Sequence, residues 1–137
     1  MTTYNIFISH SWSYGDAYEK LKKLLDAAPY FSYKDYSIPK DDPIHNAPNE
    51  ALLYEAIKKQ IAPTQVVLML AGVYATYSKW IDKEIRIAKR EFPFAKPILA
   101  IEPWGAERTS QMVKDNADKI VGWNTDSVVG AIRELVR

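Results

Sequence analysis

The sequence predicts an α/β fold, a three-layer sandwich around a five-stranded parallel sheet with strand order 2-1-3-4-5. Short apolar runs alternate with segments of helical period along the whole chain. The most apolar run, Val66 to Ala71, lies mid-chain and suits the centre of a sheet buried on both faces. No internal repeat, low-complexity stretch or linker breaks the pattern, and 137 residues suffice for one domain spanning 1–137.

Tyr4 to Ser9 reads as a short, largely buried strand. A polar and aromatic loop, His10 to Tyr14, leads to a helix that opens near Asp16. Tyr14, Ala17, Tyr18, Leu21, Leu24, Leu25 and Ala28 recur on it at helical spacing, and Pro29 stops it. Tyr30 to Tyr36 alternates, is rich in aromatics and predicts the second strand. Ser37 to Pro48 carries three prolines and reads as a long loop, either a binding loop or a plain connector.

Asn49 caps the second predicted helix, whose core face takes Leu52, Leu53, Ala56, Ile57 and Ile61 before Pro63 ends it. After the central strand, a helix from Thr76 to Phe92 places Ile81, Ile85, Ala88 and Phe92 on one stripe. Lys96 to Ile101 is the fourth strand, Glu107 to Ala117 a weakly apolar helix and Asp118 to Trp123 a fifth strand. Asn124 or Thr125 caps the last helix, which carries Val128, Val129, Ile132, Leu135 and Val136. Strict alternation implies right-handed crossovers, and the flavodoxin-like strand order follows.

Composition narrows the function classes. Net charge is +1, with 18 basic and 17 acidic residues, so no basic field recruits nucleic acid and no polybasic block holds a membrane. With no cysteine and two histidines, His10 and His45, thiolate chemistry and a His-rich metal cage are excluded, and no metal is expected. The N-terminus lacks the charged and apolar regions of a leader, and no apolar run reaches membrane-spanning length. The expectation is a cytoplasmic protein.

In this fold, ligands bind beyond the C-terminal ends of strands one and three. The residues there are Ser9 to Trp12, and Ala71 to Trp80 with Glu84 just behind. Trp80 and Glu84 are four apart on a helix and therefore neighbours, on a side that borders the core stripe. This predicts a half-buried carboxylate beside an aromatic; the plainer alternative is a solvated glutamate in a charged helix face.

Phosphate-accepting receiver chemistry fails, because the strand ends lack its acidic pair, Asp and Lys. Ser9 to Tyr14 is too bulky for a phosphate-wrapping flavodoxin loop. G-x-G-x-x-G, a Walker loop and G-x-S-x-G are all absent. Ser9 and His10 are adjacent at a strand end, so their side chains diverge and do not read as nucleophile and base.

Phe7-Ile8-Ser9-His10, the central apolar strand and Ser78-Lys79-Trp80-Ile81-Asp82-Lys83-Glu84-Ile85 together resemble the TIR-like group of the Toll/interleukin-1 receptor superfamily. The closer resemblance is to the bacterial branch with the TIR-like sensors of Thoeris antiphage systems, and Val121 to Val128 resembles that branch too. Many TIR domains have a cysteine beside the tryptophan, where this chain has Ile81, and the long loop after strand two departs from the adaptor pattern.

The resemblance implies cleavage of NAD⁺ as substrate, with no further cofactor, and a catalytic glutamate at Glu84. Their place around the crevice makes Phe7, Ser9, His10, Ser37 and Trp80 the expected substrate contacts. The partners that the resemblance implies are a downstream effector reached through a nucleotide messenger, a phage-derived activator and further copies in a homo-oligomer.

Each residue also has a plainer role. Phe7 sits mid-strand like core, Ser9 can cap the next turn, and His10 can simply point into solvent. Trp80 can cover the core, while Lys40 can meet a pyrophosphate or stay solvated. Asn124 reads as a helix cap, and Trp104 and Trp123 as packing. A non-catalytic nucleotide-sensing or assembly module on the same fold is the alternative; a nuclease or nucleotide-transfer enzyme is disfavoured by the missing carboxylate cluster.

Overall fold

The structure, a computed structural model, describes residues 2–9, 12, 16–38, 49–71, 79–102 and 110–136. Strands and helices alternate in the predicted sequence: β1 (Thr3–Ile8), α1 (Ala17–Asp26), β2 (Ser32–Asp35), α2 (Glu50–Ile61) and β3 (Val66–Leu70) come first. They are followed by α3 (Lys79–Arg90), β4 (Ile98–Ile101), α4 (Gln111–Asn116), β5 (Lys119–Val121) and α5 (Thr125–Leu135). The sheet has the expected order β2-β1-β3-β4-β5, and every pairing is parallel.

Two apolar layers enclose the sheet. Ile6, Ile8, Val66, Leu68, Leu99 and Ile101 face α1 and α5, meeting Leu21, Leu25, Val128 and Ile132. Phe7, Val67, Met69, Ile98 and Ala100 face α2, α3 and α4, meeting Ile57, Ile61, Ile81, Ile85 and Val113. Each such side chain taken from water contributes about 1.5–3 kcal/mol, offset by the conformational entropy of ordering the chain. Parity along β1 therefore decides which helix layer each residue meets.

Helix starts follow local chemistry. Asn49 accepts from Leu52 N–H at 2.9 Å, and Asn124 from Ser127 N–H at 2.8 Å. Asn124, rather than Thr125, is thus the cap of α5. Ser110 caps α4 by accepting from Val113 N–H at 3.3 Å. Asp16 precedes α1 without a side-chain cap bond and pairs with Lys20 at 3.3 Å instead.

Several predicted details change. Tyr30 adopts φ 58 and is 84% exposed, so the alternation does not begin there, and β2 is confined to Ser32–Asp35. A left-handed residue turns the chain and cannot continue a strand. Leu52, expected on the core face of α2, is 52% exposed. The buried row follows the four-residue spacing of Leu53, Ile57 and Ile61, and Leu52 lies beside it.

Helix α3 is buried over a wider arc than its apolar stripe, because Lys83, Glu84 and Ile87 join Ile81, Ile85 and Ala88 inside. It packs against α2 as well as the sheet. No helix among the described residues is long and apolar enough to cross a membrane.

Candidate functional site

The C-terminal end of β1 and the first turns of α3 converge. Phe7 and Ser9 are two residues apart and lie on the face that α3 covers, whereas Ile6 and Ile8 lie on the other. Ser9 Oγ donates to Glu84 Oε1 at 2.8 Å, across 75 positions of sequence. Ser9 is 2% exposed and Glu84 1%. Glu84 is therefore buried outright, not half-buried. The extra burial comes from its turn toward the end of β1, where it meets Ser9 against the sheet.

A buried carboxylate needs hydrogen bonds or an opposite charge, because desolvation penalises it heavily. The Ser9 hydroxyl supplies one such bond. Next to it in sequence, Lys83 Nζ pairs with Glu50 at 2.9 Å, and its side chain is 10% exposed. Adjacent helix positions are about 100° apart, so Lys83 turns to the first turn of α2 while Glu84 turns to β1. The two charges beside each other in sequence thus have different partners.

Ser9 is held on both sides. Its N–H donates to the Leu68 carbonyl at 3.0 Å, and its carbonyl accepts from Trp12 N–H at 3.1 Å. Trp12 was expected at the crevice with Ser9. It is fully buried in the layer of α1 and α5 instead, and its Nε1–H donates to Leu68 O at 3.0 Å. Its ring lies 5.9 Å from that of Trp123 at 40°. The backbone turn after Ser9 carries the indole to the opposite face of the sheet, where a large apolar ring is stabilised by burial.

The remaining residues of the expected site divide. Phe7 is 1% exposed within the cluster that contains Ile81 and Ile85. Trp80, one turn before Glu84, is half-buried and packs against the same cluster. His10 lies outside the described residues, as do His45, Lys40 and Trp104.

Ser37 does not join Ser9 and Glu84. Its N–H donates to Asp35 Oδ1 at 2.8 Å and its Oγ lies 3.4 Å from Tyr18 Oη. Asp35 is in register with Ile6 and so faces α1. There Tyr18 donates its hydroxyl to Asp35 Oδ2, and Lys22 stands 3.9 Å from the same carboxylate. Burial first, and then the bond to Asp35, push the Tyr18 hydroxyl above its ordinary pKa.

Two features escaped sequence reasoning. The Lys83–Glu50 pair had no local signal, since 33 positions separate the partners. The pinning of Ser9 by Trp12 had a weak one, a tryptophan three residues after a strand-end serine. Among the described residues no group of three or more His, Cys, Asp or Glu side chains could hold a metal ion.

No curated protein matches the chain. The family model for the TIR-like domain of the Thoeris protein ThsB matches residues 7–108. That span contains Phe7, Ser9, Trp80 and Glu84, and it runs from the end of β1 through β4. With most of its length matched and the 2-1-3-4-5 parallel sheet in place, the chain belongs to the TIR-like domain family of the Thoeris protein ThsB.

Proposed function

We propose that this chain cleaves the nicotinamide–ribose bond of NAD⁺ and releases a cyclic or conjugated ADP-ribose as an antiphage signal. Family membership ties it to Thoeris defence; the chemistry is our reading. The observation that carries it is the buried Glu84 carboxylate, held by Ser9 at 2.8 Å at the C-terminal rim of β1.

Heterolysis of the glycosidic C–N bond sends its electron pair to the nicotinium nitrogen. Nicotinamide then leaves neutral and needs no acid. Positive charge develops on the ribose, as in other oxocarbenium-like transition states. A carboxylate fixed in a water-poor site stabilises that charge far more than one in bulk water. One carboxylate can therefore suffice. Capture of the cation by a hydroxyl or nitrogen, which then loses its proton, yields the cyclic or conjugated product; capture by water yields linear ADP-ribose. Trp80 and Phe7, which share one apolar cluster, support the first outcome by limiting water. His10 is proposed as an outer contact to the nucleotide. A downstream effector would read the product, and a phage-derived trigger and self-association would activate the enzyme.

The test is incubation with NAD⁺, with and without phage-infected lysate, followed by mass spectrometry of wild type and Glu84→Gln. Wild type should release nicotinamide. The amide, which keeps an acceptor for Ser9 but not the charge, should lower turnover about 10²–10³-fold. Linear ADP-ribose as the sole product would overturn the cyclic or conjugated assignment. The low exposure of Glu84 favours one rival, a non-catalytic nucleotide-sensing module in which Ser9–Glu84 is a packing contact. That rival predicts NAD⁺ binding, no nicotinamide release and no effect of Glu84→Gln.

A further inference from the structure

We infer that Ser9 is a positioning residue for the Glu84 carboxylate and not a ligand for the nucleotide; this deepens the proposed function and rests on it. A hydroxyl has one proton to donate, and that of Ser9 is directed to Glu84 Oε1 at 2.8 Å. While it holds the carboxylate it cannot also donate to a ribose or phosphate. At 2% exposure the side chain is itself buried.

The geometry of the backbone gives that bond its direction. Leu68 O receives both Ser9 N–H and Trp12 Nε1–H, each at 3.0 Å. Trp12 N–H then closes the turn onto Ser9 O at 3.1 Å. The central strand and a fully buried indole thus fix Ser9 from both sides. A hydroxyl on a fixed backbone is a directional clamp, whereas a carboxylate on a glutamate has three side-chain torsions to lose. Holding one oxygen orients the carboxyl plane. Such preorganisation lowers the barrier to the chemical step without tightening substrate binding.

The test compares steady-state NAD⁺ cleavage, under the trigger that activates wild type, for Ser9→Ala, Ser9→Thr and Ser9→Cys, with Glu84→Gln alongside and thermal melts of all four. Ser9→Ala should lower kcat about 10- to 100-fold, as expected for loss of a hydrogen bond to a charged group, with KM little changed. Ser9→Thr, which keeps the hydroxyl, should recover most of that loss. Should Ser9→Ala lose its cooperative melt, Ser9→Cys decides, since the thiol keeps the volume but is a weak donor. Its kcat should then fall between wild type and Glu84→Gln.

A rise in KM with kcat retained would make Ser9 a substrate ligand and overturn the inference. Equal losses in the alanine and threonine variants, or wild-type kcat in the cysteine variant, would overturn it too. If Glu84→Gln turns over like wild type, the proposed function falls and this inference with it. If only Glu84→Gln is inactive, the function stands and the inference alone falls.

Discussion

At the scale of single residues, pairing decides what a buried charge can do. Lys83 and Glu84 are neighbours in sequence and are both buried, yet each has a different partner, Glu50 for the lysine and Ser9 for the glutamate. A second residue-scale device lies between α2 and α3. Tyr54 donates to Glu91 Oε1 at 2.8 Å, and Lys58 Nζ stands 3.1 Å from Oε2. The Tyr54 bond, then Lys58, hold the Glu91 carboxyl below its ordinary 4.5. Burial, then the same bond, push the Tyr54 hydroxyl above 10.0.

The signs of these two shifts bound a pH window. A lowered carboxyl adds stability above its unfolded pKa and loses it as pH falls through the folded value. A raised hydroxyl adds stability below its unfolded pKa and loses it as pH rises through the folded value. Tyr54→Phe should therefore melt below wild type at neutral pH, and the gap should shrink as pH is taken below 4.5. Melts of both proteins across that range check this. A gap that stays constant into acid would mean that Tyr54 acts through packing alone.

At the scale of elements, local capping chemistry sets where helices begin, while packing sets which faces they bury. Asn49 and Asn124 both accept a backbone N–H three residues on, and both were readable because a turn former precedes an apolar period. Asn124→Ala should destabilise the fold by about 0.5–2 kcal/mol, measured as a shift in the urea midpoint at constant slope. Thr125 Oγ1 donates to Leu24 O at 2.8 Å, so the start of α5 is also tied to α1. If the midpoint of Asn124→Ala stays at the wild-type value, that tie is sufficient and the cap contributes nothing. The burial of α3 was less readable. Its apolar stripe accounts for Ile81, Ile85 and Ala88, but Lys83 is inside because α2 covers a second side, and Glu84 because it turns to the end of β1.

At the scale of the whole molecule, the central strand joins stability to the site. Leu68 is fully buried in the α1 and α5 layer, while its carbonyl holds both Ser9 and Trp12. Side chain and backbone can be separated by mutation. Leu68→Ala removes packing but leaves the carbonyl. It should cost about 2–5 kcal/mol in chemical denaturation, while the folded fraction keeps wild-type turnover. A loss of turnover per folded molecule would show that the strand's packing, beyond its hydrogen bonds, orients Ser9. Asp35 and Ser37 illustrate the same scale from the other side. They end an edge strand near β1, yet their parity sends them to α1 and away from Glu84.

By itself, the sequence determined the fold class, the strand order, the Asn49 cap and the proximity of the β1 end to the helix after β3. These rest on local periodicity and on the handedness of crossovers, both of which are written in short windows of chain. Only the tertiary structure decided which of the rim residues meet. Ile6, Phe7 and Ile8 are apolar on both faces of a buried strand, so the sequence carries no parity signal there. Whether Ser9 turned toward α1 or α3 was therefore open, and with it the bond to Glu84. The same ambiguity concealed the burial of Trp12 and the separation of Ser37 from the site. Side-chain parity along a doubly covered strand is settled by packing against both layers at once, and no short stretch of sequence contains both.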